Sequence, residues 1–495
     1  MLFNSYTFLL AFLPVSLLIF HGLRLAGHTR ASFGALVLLS LIFYGYWNPV
    51  YLLLLIPLTL LNFAIAHAII ARRIDRARAA RGMLFAGIAT NLGVLGYFKY
   101  ANFFVDNVNT LFSTHIVIAS IVLPLGISFF TFQKIAFLVD AYRGRVDRMN
   151  LLDFSLFVSF FPQLIAGPIV HHADVLPQFR NPARAYRHYV VQGATIFAIG
   201  LAKKVLLADT AALYATPGFD AASNGVALDA ASAWLAALAY TVQLYFDFSG
   251  YSDMAIGAAL MFGIRLPVNF ASPYKAVSII DFWRRWHITL SRFLRDYLYI
   301  PLGGNRHGSG RRYLNLIATM LLGGLWHGAG WTYVMWGALH GLYLMINHAW
   351  RAIRHRLSWL PSEIGHVELF LGRALTFLAV VVAWVFFRAA NFDTAIALLQ
   401  SMSGAHSAAA PSSAVGDTSG MLVVTALLLI AWFAPNTQEL MRYRGPGDTS
   451  DEAAPTRRTK LTWQPTFRWA VISGGLFAVS AMSLSKVSEF LYFQF

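Results

Sequence analysis

The sequence predicts an all-α protein that crosses a membrane many times. Of its 495 residues, 58% are hydrophobic and only 12% are charged, and its mean hydropathy is +0.58. Soluble globular proteins do not have this composition. The hydrophobic residues are also grouped in runs of roughly 16–25 residues, the length that a helix needs to cross about 30 Å of hydrocarbon. Together these observations predict about 11–12 transmembrane helices.

The apolar runs follow one another along the whole chain. They cover residues 6–26, 32–47, 51–70, 83–104, 116–140, 188–207, 231–255, 313–330, 332–350, 367–388, 421–440 and 467–486. Since no Lys or Arg precedes the first run, we expect a retained first helix and not a cleaved signal peptide. Two polar segments of low complexity, 404–419 and 444–458, are predicted to be disordered.

Charged residues in the loops predict the orientation of the helices. The loops 72–81, 143–148 and 351–356 are rich in arginine, which places them in the cytoplasm. The loops 208–230 and 389–420 contain no Lys or Arg and should lie outside. This distribution explains the net charge of +16 without a nucleic-acid partner.

Two segments do not fit a simple crossing. Residues 151–170 are apolar but have basic residues on both sides, so a full crossing would place one basic loop outside. We therefore predict a re-entrant or broken helix there, with a helix on the membrane surface as the alternative. The arginine-rich stretch 263–312 should lie at the cytoplasmic face or dip into the membrane from it.

His327 is the first candidate for chemistry, because it lies in the apolar, glycine-rich segment 321–331. An ionisable residue in a membrane segment is costly and is therefore a functional candidate. A histidine that only bonds a neighbouring helix is an equal alternative. His340 is a further candidate for which a structural role is favoured. Four glycines lie nearby: Gly323, Gly324, Gly328 and Gly330. They would allow a thin substrate to approach closely, but tight packing of helices would use them equally well.

A second polar block, residues 245–254, contains two carboxylates. Asp247 and Asp253 are separated by about 240° around a straight helix, so they are not expected to form a metal pair. Anchoring of a neighbouring Arg or backbone amide is favoured over direct catalysis.

The third block, residues 281–304, predicts an amphipathic basic helix with His287 on it. If it is helical, Arg284, Ser291 and Arg295 share one face, and His287 lies one turn before Ser291. Together with Arg285 and with Asn305 in the turn 303–306, these residues are candidates to bind the phosphate of an anionic ligand such as coenzyme A. Anchoring of this basic helix to lipid headgroups is an equal alternative to binding of an anionic ligand.

Missing residue types limit the chemistry. The chain has no cysteine, which excludes disulfides, thiolate metal sites and a cysteine nucleophile. No glutamate precedes Glu363, which excludes the His-Glu pattern of zinc proteases from the first two-thirds. Histidine is therefore the expected acid or base, and we expect no metal and no tightly bound cofactor.

In combination, these motifs resemble the membrane-bound O-acyltransferase family. The chain is similar to the branch that contains the membrane subunit of bacterial alginate O-acetylation, over most of residues 1–350 and at 490–495. The segments concerned are 124–133, 160–168 and the three polar blocks. The resemblance implies one membrane domain over 1–495, a helical bowl with a central tunnel, with N-terminal helices in 1–150, a catalytic core in 151–350 and C-terminal helices in 351–495.

The resemblance also implies an activity. His327 matches the family-defining histidine, and His287 matches a second functional histidine. Members of the branch move an acyl group, usually acetyl, from a cytoplasmic donor such as acetyl-coenzyme A or another thioester across the inner membrane. The acceptor is an extracytoplasmic polysaccharide such as alginate, and periplasmic acetyltransferase proteins generally take part.

Several hypotheses remain open at this point. His327 could remove a proton from the acceptor hydroxyl or carry the acyl group itself, and an ester on Ser291 or Ser252 is disfavoured. A transporter or flippase would use histidine and aspartate residues at the membrane midplane, but no inverted repeat is visible in the sequence. The third class is a structural scaffold of a polysaccharide secretion complex.

Overall fold

The computed structural model describes the chain except for residues 120, 148, 181–185, 357–364, 406–417, 447–460, 485–490 and 492–495. All regular elements in the described residues are helices, and no strand is present among them. The prediction of an all-α protein is therefore confirmed. The predicted disordered segments 404–419 and 444–458, and the family-like ending 490–495, lie largely outside the described residues.

The chain folds into two compact units. The first unit comprises Met1–Ala202, Tyr251–Val268 and Thr437–Val487. Its helices are α1 Leu13–Leu25, α2 Thr29–Gly45, α3 Leu52–Arg72, α4 Ala77–Leu95, α5 Ala101–Phe112, α6 Ile127–Tyr142, α7 Leu151–Ser159, α8 Phe161–Leu164, α9 His172–Arg180, α10 Tyr186–Ala202, α20 Thr437–Met441 and α21 Phe467–Met482.

The second unit comprises Lys203–Gly250, Asn269–Asn436 and Ser488–Phe495. Its helices are α11 Asp209–Ser223, α13 Ile279–Arg285, α14 Ile288–Leu294, α15 Gly308–His327, α16 Trp331–Arg356, α17 His366–Arg388, α18 Phe392–Met402 and α19 Thr418–Phe433. The long helix α12, Ala230–Met261, belongs to this unit as far as Gly250 and to the first unit from Tyr251 on. The prediction of a single domain stays a prediction.

The described helices identify a multi-pass membrane protein. Five helical stretches have the length and apolar composition to cross a membrane: Thr7–Leu25, Pro49–Arg72, Ala77–Phe112, Arg187–Ser223 and His366–Arg388. Three shorter apolar helices are α2, α19 and α21. The number of 11–12 crossings, the bowl and the tunnel stay predictions.

The segment 151–170 is a broken helix, as the sequence predicts. Helix α7 ends at Ser159, Phe160 adopts a non-helical conformation (φ −52°, ψ 109°), and the single turn α8 follows with Pro162 in its first turn. Proline fits there because the first turn of a helix leaves its N–H groups unbonded. Whether the segment re-enters the membrane stays a prediction.

Two segments predicted as outside loops are partly helical, and this part of the prediction is wrong. Residues 209–223 form α11, whose alanine-rich sequence favours a helix and whose first turn contains Asp209. Residues 392–402 form α18, capped by Asn391, whose side chain accepts a hydrogen bond of 2.9 Å from the Thr394 N–H. The absence of basic residues does not exclude a helix.

Helices α15 and α16 pack closely through glycines. A Cβ atom added at Gly337 would overlap the carbonyl oxygen of Met320, and one added at Gly324 would overlap the carbonyl oxygen of Tyr333. The two backbones are therefore in contact at these positions. His327 is the last residue of α15, so this packing fixes the position of its backbone.

We expect Gly337→Ala to destabilise the α15–α16 pair, because the added methyl group must push two backbones apart. Overpacking of this kind typically costs about 1–3 kcal/mol. Thermal unfolding of the purified protein in detergent measures the effect. Gly310→Ala is the matched control, since Gly310 lies on α15 with no atom within 4 Å of an added Cβ. An equal melting temperature for both variants would contradict close packing at Gly337.

Candidate active site

The predicted basic helix of residues 281–304 is interrupted next to its histidine. Helix α13 ends at Arg285, Trp286 is extended (φ −100°, ψ 127°), and His287 is left-handed (φ 43°, ψ 53°) before α14 begins at Ile288. The prediction that Arg284, Ser291 and Arg295 share one helix face is therefore wrong. A left-handed conformation costs a non-glycine residue about 1–2 kcal/mol and is often found at functional sites.

Asn269 holds His287 in this conformation. Its side-chain oxygen lies 3.1 Å from His287 Nδ1 and accepts hydrogen bonds from the Thr289 hydroxyl (2.9 Å) and the Thr289 N–H (3.3 Å). The backbone oxygen of Asn269 accepts a bond of 3.0 Å from the Ile288 N–H. These contacts hold the chain in place just after the break and compensate for the strain at His287. Asn269 was not predicted from sequence, because nothing marks one asparagine in an apolar segment as a partner of a histidine 18 residues later.

The contact with Asn269 also selects the tautomer of His287. Because the amide oxygen can only accept, Nδ1 must carry the proton, and Nε2 then has the lone pair in the neutral ring. Burial lowers the pKa of His287 to about 3, so the ring is neutral near pH 7. His287 is fully buried, and its ring makes a T-shaped contact with the Phe248 ring at a centroid distance of 4.8 Å.

His327 lies beside His287 in a box of aromatic rings. The two imidazole centroids are 6.4 Å apart. Edge-to-face contacts surround His327, with centroid distances of 4.9 Å to Trp326, 5.0 Å to Trp336 and 5.2 Å to Phe387. Only 4% of His327 is exposed. The two histidines predicted from sequence are thus brought together and shielded from bulk water.

The other predicted ligand-binding residues are distributed more widely. Arg285 Nε lies 2.8 Å from Asp281 Oδ1, and Arg295 Nε lies 2.7 Å from Asp296 Oδ1, so a carboxylate compensates each charge. Arg284 and Asn305 are exposed, and Ser291 is half-buried. The turn around Asn305 is formed as predicted, with Gly303 and Gly304 at positive φ. Among the described residues, no group of three or more His, Cys, Asp or Glu side chains could hold a metal ion.

The carboxylates of residues 245–254 anchor neighbouring groups, as the sequence favours. Lys204 Nζ lies 2.8 Å from Asp247 Oδ1 and 2.7 Å from Asp209 Oδ1. The other oxygen of Asp247 accepts a bond of 3.1 Å from the Leu491 N–H. Asp253 accepts hydrogen bonds from Thr437 and Gln438 within the first unit. The sequence predicts an arginine or a backbone amide as partner, and Asp247 binds a backbone amide and a lysine.

We expect Asn269→Leu to lower the turnover number about 10²-fold, because His287 loses the contact that fixes its ring orientation, and the Michaelis constants should change less. Asn269→Asp keeps the acceptor and should restore part of the activity. Its carboxylate favours the imidazolium and so raises the pKa of His287, which moves the acidic limb of the pH–rate profile to higher pH. If Asn269 had only a structural role, the acidic limb of the pH–rate profile would be the same in Asn269→Asp as in the wild type.

Comparison with known proteins identifies the family. Residues 88–367 match the family model of MBOAT, the membrane-bound O-acyltransferase family. The chain is 41% identical to a probable alginate O-acetylase of Pseudomonas putida, over 100% of both chains. It is 45% identical to a peptidoglycan O-acetyltransferase of Helicobacter pylori, over 82% of this chain and 80% of that protein.

A more distant relative has a different acyl group in its name. The chain is 27% identical to a teichoic acid D-alanyltransferase of Bacillus subtilis, over 53% of this chain and 66% of that protein. All three relatives are named for the transfer of an acyl group. The family-model match and the likenesses to the two O-acetylating proteins lead to one conclusion: the chain belongs to the membrane-bound O-acyltransferase family and is an acyltransferase.

Proposed function

We propose that the protein transfers an acetyl group from a cytoplasmic thioester to a polysaccharide on the other side of the inner membrane. The observation that carries the proposal is the pair of buried histidines, His287 and His327, with ring centroids 6.4 Å apart. Relatives named for alginate and peptidoglycan O-acetylation support a polysaccharide hydroxyl as the acceptor.

His327 acts as the general base in this proposal. A ring nitrogen takes the proton of the acceptor hydroxyl while the oxygen attacks the acyl carbon. The carbon–sulfur bond breaks, the ester forms, and the thiolate leaves with the proton returned by the imidazolium. General-base catalysis of this kind is typically worth 10²–10⁴-fold. The aromatic box limits competition from water, because Trp326, Trp336 and Phe387 surround the ring.

His287 contributes a neutral ring with its acceptor nitrogen at Nε2. It is suited to accept a hydrogen bond from a substrate and to hold the donor or the hydroxyl near His327. The chain cannot form a thioester of its own, because it has no cysteine. A covalent route would form an acyl-histidine on His327 or the disfavoured ester on Ser291 or Ser252, and a labelled protein band would reveal either.

The direction of transfer follows from the predicted orientation. The arginine-rich loops support a donor, acetyl-coenzyme A or another thioester, on the cytoplasmic side. Its proposed binding residues are Arg284, Arg285, Ser291, Arg295 and Asn305. The acceptor and any periplasmic acetyltransferase partner lie on the other side. Lipid surrounds the apolar helices.

Reconstitution of the purified protein with radiolabelled acetyl-coenzyme A tests this function. We expect label on an added polysaccharide or partner acetyltransferase in the wild type, and about 10²–10⁴-fold less in His327→Ala. Label on the denatured protein would indicate a covalent route, and loss of that label in His327→Ala would assign it to His327. A wild-type protein that binds its partners but transfers no label to protein, water, partner or polysaccharide would contradict the enzyme and support a scaffold.

A further inference from the structure

The first unit contains a cavity of about 290 Å³. Its walls come from four parts of the chain: Asp174 and Gln178 of α9, Tyr189 of α10, Gly263 and Arg265 after α12, and Pro446 after α20. Ligand pockets in proteins typically measure about 300–1,000 Å³. The cavity is therefore large enough for a small polar group, and none of its lining residues belongs to the proposed catalytic or donor-binding residues.

Hydrogen bonds join the walls of this cavity. Gln178 Nε2 donates a bond of 2.9 Å to the Arg265 carbonyl oxygen, and Gln178 Oε1 accepts one of 2.8 Å from the Arg265 N–H. The Tyr443 hydroxyl donates a bond of 2.7 Å to the Leu266 carbonyl oxygen. The Arg265 guanidinium also donates to the Arg444 carbonyl oxygen. The cavity is thus held open by specific contacts between α9 and the segments after α12 and α20.

Two arginines and a buried carboxylate give this cavity its charge. Arg265 lines it, and Arg24 Nη1 lies 3.8 Å from the position that a Cβ atom would take at Gly263. Asp174 is 8% exposed, and its Oδ2 accepts a bond of 3.2 Å from the His171 N–H. These two cations and one anion sum to one positive charge. A phosphodiester, with its single negative charge, complements this sum, and guanidinium groups match the geometry of phosphate oxygens.

The cavity lies among segments predicted to face the cytoplasm. His172, at the start of α9, contacts the arginine-rich loop 143–148, since its Nε2 lies 3.2 Å from the Arg145 carbonyl oxygen. Arg265 belongs to the stretch 263–312, which the sequence also places at the cytoplasmic face. Pro177 of α9 is exposed at the edge of the cavity. Basic pockets at this level of a membrane protein are suited to the headgroups of anionic lipids.

We propose that the cavity binds the headgroup of an anionic phospholipid with free hydroxyl groups, such as phosphatidylglycerol, from the cytoplasmic leaflet. Its phosphate pairs with Arg265 and Arg24, and the Tyr189 hydroxyl donates a further hydrogen bond to a phosphate oxygen. The hydroxyl groups of the headgroup donate to the Asp174 carboxylate, which can only accept. A zwitterionic headgroup fits less well, because its own ammonium leaves the positive charge of the cavity without compensation.

Native mass spectrometry of the purified full chain measures this binding without catalysis. The probe is dioctanoyl phosphatidylglycerol, titrated into delipidated protein in detergent. We expect Arg265→Gln to raise its dissociation constant about tenfold, because charge-assisted hydrogen bonds to the phosphate are lost. Arg24→Gln should act in the same direction while the contact of Arg265 with Arg444 stays in place. The matched control is Arg78→Gln, which removes the same charge from an exposed position of the loop 72–81 and should bind like the wild type.

Asp174→Asn separates the two parts of the headgroup. Asparagine keeps the size and the acceptor for the His171 N–H but has no charge. We expect this variant to bind phosphatidylglycerol at least as tightly as the wild type, because the phosphate no longer lies near a carboxylate. Dioctanoyl phosphatidylethanolamine should bind the wild type more weakly than phosphatidylglycerol does. Tighter binding of phosphatidylethanolamine to the wild type, or weaker binding of phosphatidylglycerol to Asp174→Asn, would overturn the assigned headgroup.

Soluble ligands distinguish a lipid from other phosphates. Glycerophosphoglycerol, the same headgroup without acyl chains, should compete weakly, because burial of the chains adds to the affinity of the lipid. Coenzyme A should not compete, and displacement of the lipid by it would assign the cavity to a nucleotide instead. An unchanged dissociation constant in Arg265→Gln or Arg24→Gln, or equal weakening in Arg78→Gln, would overturn the lipid site. His327→Ala should bind phosphatidylglycerol like the wild type, so this test is independent of acyl transfer.

Discussion

Replacing His327 by alanine is expected to reduce polysaccharide acetylation about 10²–10⁴-fold, because the step then lacks its general base. The ring is nearly buried among Trp326, Trp336 and Phe387, and the neighbouring His287 ring is 6.4 Å away between centroids. Mass spectrometry of the extracted polysaccharide measures the loss, with the amount of membrane protein determined in parallel.

The matched control is His366→Ala, which removes an exposed histidine at the start of α17. We expect it to keep both expression and acetylation. Full acetylation by His327→Ala at normal protein level would exclude the general-base role and leave His327 as a packing residue. A loss of acetylation that follows a loss of protein would point to folding instead, and thermal unfolding of the purified variant separates the two.

Replacing His287 by alanine is expected to reduce acetyl transfer by about 10²-fold or more, because the neutral ring that orients the reactants beside His327 is lost. Alanine would keep the left-handed strain of this position (φ 43°) without the contact to Asn269 that compensates for it. The variant should therefore also be less stable. Initial rates on the purified protein measure transfer separately from expression.

His287→Gly distinguishes the ring from the backbone. Glycine adopts the left-handed conformation without penalty, so this variant should be more stable than His287→Ala and equally inactive. Recovery of wild-type transfer in His287→Gly would mean that position 287 matters only for its backbone conformation. Unchanged donor turnover in both variants would contradict any role of His287 in the reaction.

Much of the fold follows from composition and periodicity. Apolar runs locate most of the long helices, since their length is dictated by the thickness of the membrane. The broken helix at Phe160 is also foreseen, because loop charges on both sides of 151–170 forbid a simple crossing. Helices α11 and α18 are not foreseen, since a lack of basic residues indicates the side of the membrane and says nothing about helix formation.

The candidate site is predictable in part. His327 and His287 are found from their position in apolar or aromatic segments and from the family resemblance. The break at Trp286–His287 is not foreseen, because it depends on Asn269, a residue that is distant in sequence and bonds the chain at the break. Binding of an anion by Arg285 and Arg295 stays a proposal, and the ion pairs of these arginines with Asp281 and Asp296 are not foreseen from the sequence.

Release of thiol from acetyl-coenzyme A by the purified chain tests the central claim most directly. Since the protein contains no cysteine, a thiol reagent detects only the free coenzyme A, with no background from the protein. With a polysaccharide acceptor present, we expect steady thiol release by the wild type and a rate about 10²–10⁴-fold lower for His327→Ala. Equal rates for the two proteins would contradict the claim that this chain performs acyl transfer through His327.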